Sequence, residues 1–596
     1  MKRCLNIIDS SVILINFAHN FENNMIMKTN TLRTILGLFT IGLIFSSCSL
    51  VKDFDYTVTP NPLEMHGDSV KFSVVVNIPE KGIKKKVKAE ITPKLGTTTL
   101  GVWTVQGSKI TGNGTVIEYK PGGTATFEMA LAYDPSLEAA DLVLTGKVFK
   151  KDKEKAELPE QKIADATIIT PLMVRKDFGM LYQSDELVRV VDKSVSAVIN
   201  FDKGKSLVKS KEIKDEDIKT LVAWIDSAQN NSKIEIESIS VRGYASPDGE
   251  FAKNGDLSKE RVESASKSFA KLMKKAKLDK YVDIATYDKK GLGEDFEEFK
   301  RQLAATESIS EGDKNLFVRI LERVSDPEAR EKEMVTLGKS FKLLEKDVFP
   351  NIRRSVITVN YKESGLTDDE MIAFSSNNTD TLTVEEVLFT GETLLKDINS
   401  RIALYNTVAS SLNDSRVFNN LGALNYIQGN VTGAKENLEA SAALVESGET
   451  MNNLAAIAIL EDDRTKSRKL LSSANGMSNE KMATVKTNTA ALDILDGNYS
   501  AAEGNIGGNT FNKALSQLLQ GNLTDAEATL SSSEDNEADA IYLSAIMAAR
   551  SGSGVSDVVA KLALAIEGDS SLKSKASKDR EFVKFFNDEA FKSTVE

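Results

Sequence analysis

The chain has 596 residues, which is more than one hydrophobic core can hold, so several domains are expected. Its 41% hydrophobic and 27% charged residues are typical of soluble globular protein, and its formal net charge is −12. This acidic balance argues against nucleic acid as the main partner, because binding to phosphate backbones needs a net basic face. The histidines and cysteines, two of each, supply little material for zinc, Cys–His or Ser–His–Asp chemistry. We therefore expect no cofactor and no enzyme of these types.

The N-terminal segment has the pattern of a targeting signal. After Met27, Lys28 and Arg33 form a basic region, and residues 35–45 are apolar but too few for a stable membrane span. Two serines then precede Cys48. This pattern resembles a bacterial lipoprotein signal, which implies cleavage before Cys48 and attachment of acyl chains such as palmitate to that residue.

We therefore interpret residues 1–26 as a non-native upstream extension and 27–47 as a signal peptide. The lipid on Cys48 is predicted to hold the protein on the outer membrane. A plain secretory signal with an incidental cysteine is the alternative. Surface-exported lipoproteins of Bacteroidetes are acidic just after the cysteine, whereas residues 49–53 contain one acid, which favours the periplasmic side.

Residues 49–175 predict an all-β domain. Short alternating segments recur between Gly, Pro and Asn turns, at 70–76, 87–91, 115–119, 124–129 and 142–149. Strands at this spacing indicate a β-sandwich of immunoglobulin-like type. The charged stretch 150–162 is interpreted as a loop or a long hairpin.

From about residue 190 to 362, strand and helix patterns alternate. Strands are predicted at 195–201, 234–242, 281–287 and 355–361, and amphipathic helices at 213–225 and 257–277. This order predicts an α/β sandwich around one sheet. A helical stretch at about 295–349 interrupts it as an insertion.

The stretch 239–261, ISVRGYASPDGEFAKNGDLSKER, combines a strand, a Gly-punctuated loop and a helix. Such a frame presents backbone N–H groups and polar side chains to a small ligand. Its spacing resembles the OmpA-like peptidoglycan-binding domain, whose core reads G-H-T-D-x-x-G followed by N, L-S and R at fixed offsets. The matching residues are Gly243, Gly249, Asn254, Leu257, Ser258 and Arg261, and residues 351–354 (NIRR) resemble the family's terminal N-x-R-R.

The resemblance implies a site for the diaminopimelate of peptidoglycan, held in the family by the Asp and the Arg. Arg261 would make the bidentate contact with the carboxylate. Ser246 stands at the position of the Asp, and Asp248, two residues later, is an acid in the same loop. The loop sequence GYASPDGE and the insertion resemble variant OmpA-like domains of Bacteroidetes. The predicted ligand-binding residues are Arg261, Asn254, Asp248, Ser246 and Gly243. The alternative is that Arg261 bridges within the domain and the site is vestigial.

A polar linker at 363–382 leads to a helical region at 383–596 that contains an internal repeat. The phrases GNVTGA, DDRTKS, GNYSAA and GNLTDA begin at positions 429, 462, 497 and 521. The first two steps, 33 and 35 residues, are close to the period of about 34 of tetratricopeptide repeats. We predict that the Gly of each phrase ends a helix with positive φ and that the Ser or Thr caps the next helix. The region resembles a tetratricopeptide solenoid, which implies a concave surface for protein partners, although a purely structural array is the simpler interpretation.

These modules favour a non-enzymatic outer-membrane lipoprotein that acts as an envelope scaffold. It would contact peptidoglycan through the OmpA-like domain and envelope proteins through the repeats. The alternative is an assembly or secretion accessory lipoprotein whose OmpA-like domain binds protein. A third hypothesis is an enzyme that acts on peptidoglycan through Asp248 and Glu250, but two carboxylates in one loop form a poor acid–base pair without a cleft to separate their pKa values.

Overall fold

The structure, a computed structural model, describes residues 50–596. The chain divides into two compact units. One combines the chain up to Gln183 with Asn413–Glu596, and the other is Ser184–Leu412. The protein is therefore multidomain, with β-sheets in its N-terminal part and helices in its C-terminal part.

The predicted extension 1–26, the signal peptide 27–47 and Cys48 lie outside the described residues, and those predictions stay predictions. Within residues 50–596, no helix has the length and apolar character needed to cross a bilayer.

The N-terminal part consists of two β-sheets around one core. The strands are β1 (Asp55–Thr59), β2 (Met65–His66), β3 (Ser69–Ile78), β4 (Val87–Leu95), β5 (Thr98–Thr99), β6 (Trp103–Gly107), β7 (Thr115–Ile117), β8 (Gly123–Ala132), β9 (Asp141–Lys150) and β10 (Lys153–Asp165). In one sheet β3 pairs with β1 and β2 along one edge and with β8 along the other. The second sheet has the order β10-β9-β4-β6-β7, with β5 paired to β4.

The alternation of apolar residues along these strands explains the core. Every second side chain of β4 is buried, and Val74 of β3, Ile91 of β4 and Leu144 of β9 belong to one cluster. The all-β prediction is confirmed, and the charged stretch 150–162 lies in the antiparallel hairpin of β9 and β10. The second sheet is not purely antiparallel, since β6 and β7 pair in parallel. The immunoglobulin-like type of the sandwich stays a prediction.

The central unit is built on one four-stranded sheet with the order β11-β14-β12-β13. The strands are β11 (Val190–Asn200), β12 (Ile234–Ala245), β13 (Asp288–Glu294) and β14 (Arg354–Ser364), and the helices are α1 (Glu216–Gln229) and α2 (Phe251–Lys275). β12 and β13 run parallel, and α2 connects them, as a parallel pair requires. Val241, Phe269 and Val359 form part of the core between this sheet and its helices.

A helical insertion follows β13 and has its own core. Its elements are α3 (Phe296–Ala305), α4 (Glu311–Arg323), α5 (Pro327–Val335), α6 (Lys339–Leu343), a π-helical turn (Leu344–Val348) and α7 (Phe349–Ile352). Phe299, Phe317 and Phe349 are fully buried in this insertion. The prediction of helix at about 295–349 is confirmed.

After β14 the same unit continues through three helices, α8 (Asp368–Asn377), α9 (Val384–Phe389) and α10 (Ile398–Leu412). The stretch 363–382, predicted as a linker, therefore contains α8. The start of α9 is a capping box, in which Thr383 and Glu386 each accept a hydrogen bond from the other's backbone N–H.

The rest of the chain is a series of helices that pack in hairpins. They are α11 (Ser415–Ile427), α12 (Val431–Leu444), α13 (Gly448–Leu460), α14 (Arg464–Ser473), α15 (Asn479–Leu495), α16 (Tyr499–Asn505), α17 (Phe511–Leu519), α18 (Leu523–Ser532), α19 (Ala538–Ser551), α20 (Val555–Gly568), α21 (Ser571–Ala576) and α22 (Glu589–Val595). In the first hairpin a Cβ on Gly422 would lie 2.6 Å from Leu438 Cγ, so glycine is needed for the close packing of α11 on α12.

The turns occur where the repeated phrase predicted them. Gly429 (78°), Gly497 (81°) and Gly521 (83°) have the predicted positive φ, and Asp462 (60°), in the degenerate copy, has a positive φ that was not predicted. A fifth turn of this kind, at Gly552 (79°), was missed because the phrase is absent there.

The predicted Ser and Thr caps are wrong. Asn430 caps α12 by accepting from Gly433 N, and Asp463 caps α14 by accepting from Lys466 N. In these two turns the residue directly after the left-handed residue has non-helical φ and ψ, so its short side chain is the one that reaches the first free N–H groups. Asn498 and Asn522 stand at the same position before α16 and α18 but make no side-chain cap hydrogen bond. Thr432 already lies inside α12.

Candidate functional site

Four of the five predicted site residues line one cleft at the end of β12. The cleft has a volume of about 430 Å³ and is formed by the loop after β12, the first turns of α2 and the loop after β11. Its lining residues are Lys203, Gly204, Ser246, Asp248, Gly249, Glu250, Lys253, Asn254, Asp256, Leu257, Glu260 and Arg261. The strand–loop–helix frame predicted from the sequence thus encloses a cavity large enough for a small ligand.

Arg261 is buried and binds main-chain carbonyls. It donates from Nε to Lys205 O (3.0 Å), from Nη1 to Tyr244 O (2.8 Å) and from Nη2 to Asp202 O (3.2 Å). The guanidinium also lies over the Phe201 ring, 5.3 Å from its centroid. The side chain therefore ties the loop after β11 to the end of β12.

This arrangement occupies part of the hydrogen-bonding capacity of the guanidinium. Of its five N–H groups, three donate to these carbonyls, and each Nη atom retains one more N–H. Burial, together with the positive charge of Arg353, lowers the pKa of Arg261 to about 10, so the side chain remains charged at neutral pH.

Asp248 is paired with a second arginine. Its Oδ2 accepts from Arg353 Nη2 at 2.7 Å, and both side chains are less than 10% exposed. Ser246 links the two, because its Oγ accepts from Arg353 Nε at 2.9 Å and donates to Asp248 Oδ1. The structure thus places Asp248 beside the serine that stands at the position of the family's acid.

Lys203 forms the exposed edge of this charge cluster. Its Nζ lies 3.1 Å from Asp248 Oδ2 and 2.7 Å from Glu345 Oε1, which belongs to the insertion. Its side chain is 56% exposed, whereas that of Asp248 is 5% exposed. Lys203 is therefore the member of the cluster that a ligand from solvent would meet first.

Asn254 closes the loop after β12 from the side of α2. Its Nδ2 lies within hydrogen-bonding distance of Ser246 O (3.1 Å), Gly249 O (3.2 Å) and Glu294 Oε1 (2.8 Å). Burial raises the pKa of Glu294 to about 7, although the hydrogen bond from Asn254 opposes this shift. Asn254 consequently positions the loop rather than presenting its amide to the cleft.

Gly243 has a packing role beneath the cleft. A Cβ at this position would lie 2.3 Å from Ser258 O and 2.6 Å from Val262 Cγ2. Only glycine lets α2 approach β12 this closely. The structure therefore separates Gly243 from the other four predicted residues, which meet at the cleft.

Three residues at the cleft were not among the predicted site residues. Arg353 belongs to the NIRR element, so its match to the family's terminal arginines was a usable signal. Lys203 and Glu294 have no distinguishing spacing, and only the tertiary structure brings them to the loop. Within residues 50–596, no group of three or more His, Cys, Asp or Glu side chains is arranged to hold a metal ion.

Comparisons with known proteins do not assign the chain to a family. No family model matches it, and no curated protein matches it. Among solved structures, a crystal structure of native alpha-2-macroglobulin from Escherichia coli, from domain MG7 to the C-terminus, is 9% identical with a TM-score of 0.12. A cryo-EM reconstruction of the native conformation of E. coli alpha-2-macroglobulin is 10% identical with a TM-score of 0.10.

The alignments cover 79% and 78% of this chain, and the chain spans 63% and 25% of the length of those two structures. Structural similarity at TM-scores this low supports no statement about the fold or function of this chain.

Proposed function

We propose that the protein is a non-enzymatic lipoprotein scaffold of the outer membrane, anchored through Cys48 on the periplasmic side. Its central unit would be an OmpA-like domain that contacts peptidoglycan, and its helical hairpins would be tetratricopeptide-like repeats that contact envelope proteins. The signal-like segment before Cys48 and the motif match at Gly243, Asn254 and Arg261 support this proposal. The two carboxylates considered for catalysis have cationic partners, since Asp248 pairs with Arg353 and Glu250 with Lys253.

The observation that carries the wall-binding role is the presence of both charges in one cleft. Asp248 offers a carboxylate, while Arg261 offers cationic donors. A diaminopimelate centre, which the family resemblance implies as ligand, carries an ammonium and a carboxylate on one carbon. Its carboxylate would accept from the remaining N–H groups of Arg261, which donate in a planar fork.

The ammonium would replace Lys203 at Asp248. Lys203 and a ligand ammonium are the same kind of donor, and Lys203 is the exposed partner of the pair. The exchange therefore keeps Asp248 neutralised, because Arg353 stays bound to the same oxygen. The energetic requirement is the release of one flexible lysine, whose exposed ion pair is worth about 0–1 kcal/mol.

Sedimentation with purified peptidoglycan sacculi tests this role. We expect Asp248→Asn to lower the bound fraction by about tenfold or more, since it removes a charge-assisted hydrogen bond worth about 1.5–3 kcal/mol. Lys203→Ala should retain or strengthen binding, because it removes the competitor for Asp248. Lys219→Ala is the matched control, with a side chain 58% exposed outside the cleft. Wild-type binding by a folded Asp248→Asn variant would contradict the proposal.

The second candidate function is that of an accessory lipoprotein whose central unit binds protein. It is favoured by the charge compensation already present in the cleft, where Arg261 binds three carbonyls and Asp248 binds two cations. Crosslinking in intact cells distinguishes the two. Recovery of a protein complex crosslinked at Lys203, together with no enrichment on sacculi, would support this candidate.

A further inference from the structure

A short segment of the chain lies against the first helices of the helical hairpins. Residues 174–183, which we call the strap, contain no helix or strand. Val174, Phe178 and Leu181 of the strap are buried in the same cluster as the hairpins. The strap and these helices belong to one compact unit.

Four asparagines hold the backbone of the strap. Each accepts from the N–H and donates to the C=O of one strap residue, at distances from 2.7 to 3.0 Å. We call these residues the ladder, and the pairs are Asn512 with Arg175, Asn488 with Gly179, Asn453 with Leu181 and Asn420 with Gln183.

The ladder is a feature of the repeat. Its members lie in α11, α13, α15 and α17, and each stands nine residues before the left-handed turn of its own hairpin (429 − 420, 462 − 453, 497 − 488 and 521 − 512). At the fifth turn the corresponding position, 552 − 9, is Leu543, and the ladder ends before it. Asn419 and Asn452 add a second row, donating to Leu181 O and Gly179 O at 3.0 and 2.8 Å.

The chemistry of the ladder selects polypeptide main chain. A carboxamide that accepts from N–H and donates to C=O matches the two hydrogen-bonding groups that every non-proline residue carries. The contacted residues 179, 181 and 183 are two apart, which is the side-chain period of an extended strand. The ladder therefore recognises an extended segment through its main chain, and the one side-chain restriction it shows is at Gly179, where a Cβ would lie 2.6 Å from Thr484 Cγ2.

The side chains of the strap supply the remaining contacts. Arg175 binds Asp535 at 2.6 Å and Asp539 at 2.5 Å, and its guanidinium lies 4.3 Å from the Phe511 ring centroid. Phe178 is 5% exposed within the hydrophobic cluster. We call the side chains of Arg175 and Phe178 the anchors. The hydrogen bonds of the ladder go to main-chain atoms and do not involve the anchors.

We infer that the ladder is a binding site for extended polypeptide main chain, that the strap occupies it as an intramolecular ligand, and that loss of the two anchors opens it to a peptide from another molecule. This inference rests on the partner-binding part of the proposed function and is independent of the cleft around Asp248. A tethered segment competes at an effective concentration in the millimolar range for short linkers. The strap therefore excludes any free peptide of similar or lower affinity.

Fluorescence anisotropy with a labelled peptide of residues 174–184 (VRKDFGMLYQS) tests the inference on the full chain. We expect the Arg175→Ala, Phe178→Ala double variant to bind this peptide at least about 100-fold more tightly than the wild type, because its own strap competes less well. Adding Asn453→Ala and Asn488→Ala should abolish the gain. A peptide N-methylated at the residues equivalent to Gly179 and Leu181 should not bind, since it keeps the side chains but lacks two N–H donors.

Two results would overturn the inference. One is a folded double variant, judged by circular dichroism, that does not bind the peptide. The other is equal binding of the N-methylated peptide, which would show that side chains carry the recognition. Neither result depends on binding to sacculi, so failure here is distinguishable from failure of the wall-binding proposal.

If the double variant does not fold, the Asp535→Asn, Asp539→Asn variant removes only the carboxylate partners of Arg175. Hydrogen exchange of the strap amides is then measured with and without excess peptide. Faster exchange at Gly179 and Leu181 in the presence of peptide supports displacement of the strap. Unchanged exchange contradicts it.

Discussion

Replacement of Asn453 by alanine measures how much the ladder contributes to the stability of the unit that contains it. Asn453 is fully buried, and its Oδ1 accepts from Leu181 N at 2.8 Å while its Nδ2 donates to Leu181 O at 2.7 Å. In the variant, Leu181 N–H loses its acceptor, whereas Leu181 O keeps the hydrogen bond from Asn419 Nδ2 at 3.0 Å. Asn452 Nδ2, which donates to the same Oδ1 at 3.1 Å, loses this acceptor as well. A buried donor left without a partner costs about 1–3 kcal/mol.

The lost volume of the amide adds to this cost, because the closely packed surroundings relax only in part. We therefore expect the free energy of unfolding to fall by about 2–4 kcal/mol, from the unsatisfied donors and the cavity together. Urea unfolding followed by far-ultraviolet circular dichroism measures the change, and hydrogen exchange of Leu181 N–H locates it.

Asn437→Ala is the matched control, because Asn437 lies on α12 and donates only to Gly433 O of its own helix. Its effect should stay within about 0.5 kcal/mol. Equal midpoints for the Asn453 and Asn437 variants, with unchanged protection of Leu181 N–H, would refute the energetic role of the ladder.

Three further predictions concern single side chains. Gly179→Ala should destabilise the unit by about 1–3 kcal/mol, because its Cβ would lie 2.6 Å from Thr484 Cγ2, and Thr484→Ser should restore part of the loss in thermal unfolding. Gly243→Ala should lower the free energy of unfolding by about 3 kcal/mol or more, since its Cβ would lie 2.3 Å from a backbone oxygen of α2. Gly249→Ala should be tolerated, because the nearest atom to its Cβ would be 3.5 Å away. Equal losses of stability in the two variants would contradict this reasoning. Because burial raises the pKa of Glu294 from 4.5 to about 7, the folded state retains a proton that the unfolded state releases, so the free energy of unfolding should fall as the pH rises from about 4.5 to about 7. Glu294→Gln should remove this dependence, and an unchanged pH profile in urea titrations would exclude Glu294 as its source.

The local structure could be predicted from the sequence to a large extent. The alternation in β4, the apolar spacing of α1 and the left-handed turn at Gly429 each depend on residues that lie close together in the chain. The strand–loop–helix frame of the cleft could be predicted in the same way. A strand pattern that ends at a glycine, followed by an amphipathic helix pattern, places a loop between the two. The asparagines of the ladder share the spacing of the repeat, since each precedes its turn by nine residues.

The partners of the polar side chains were decided by the tertiary structure. Arg261 stands at the position that the motif requires, yet its donors bind carbonyls from a loop 56 residues earlier in the chain. Asp248 obtains its charge partner from Arg353, 105 residues later.

The strap shows the same division between local pattern and tertiary contact. Residues 174–183 have no periodicity that indicates a binding role, and Gly179 meets Asn488 across 309 positions of the chain. Hydrophobic periodicity determines which elements form, because it depends on the geometry of a single helix or strand. Which buried donor meets which acceptor depends on how those elements pack, and the sequence does not specify that locally.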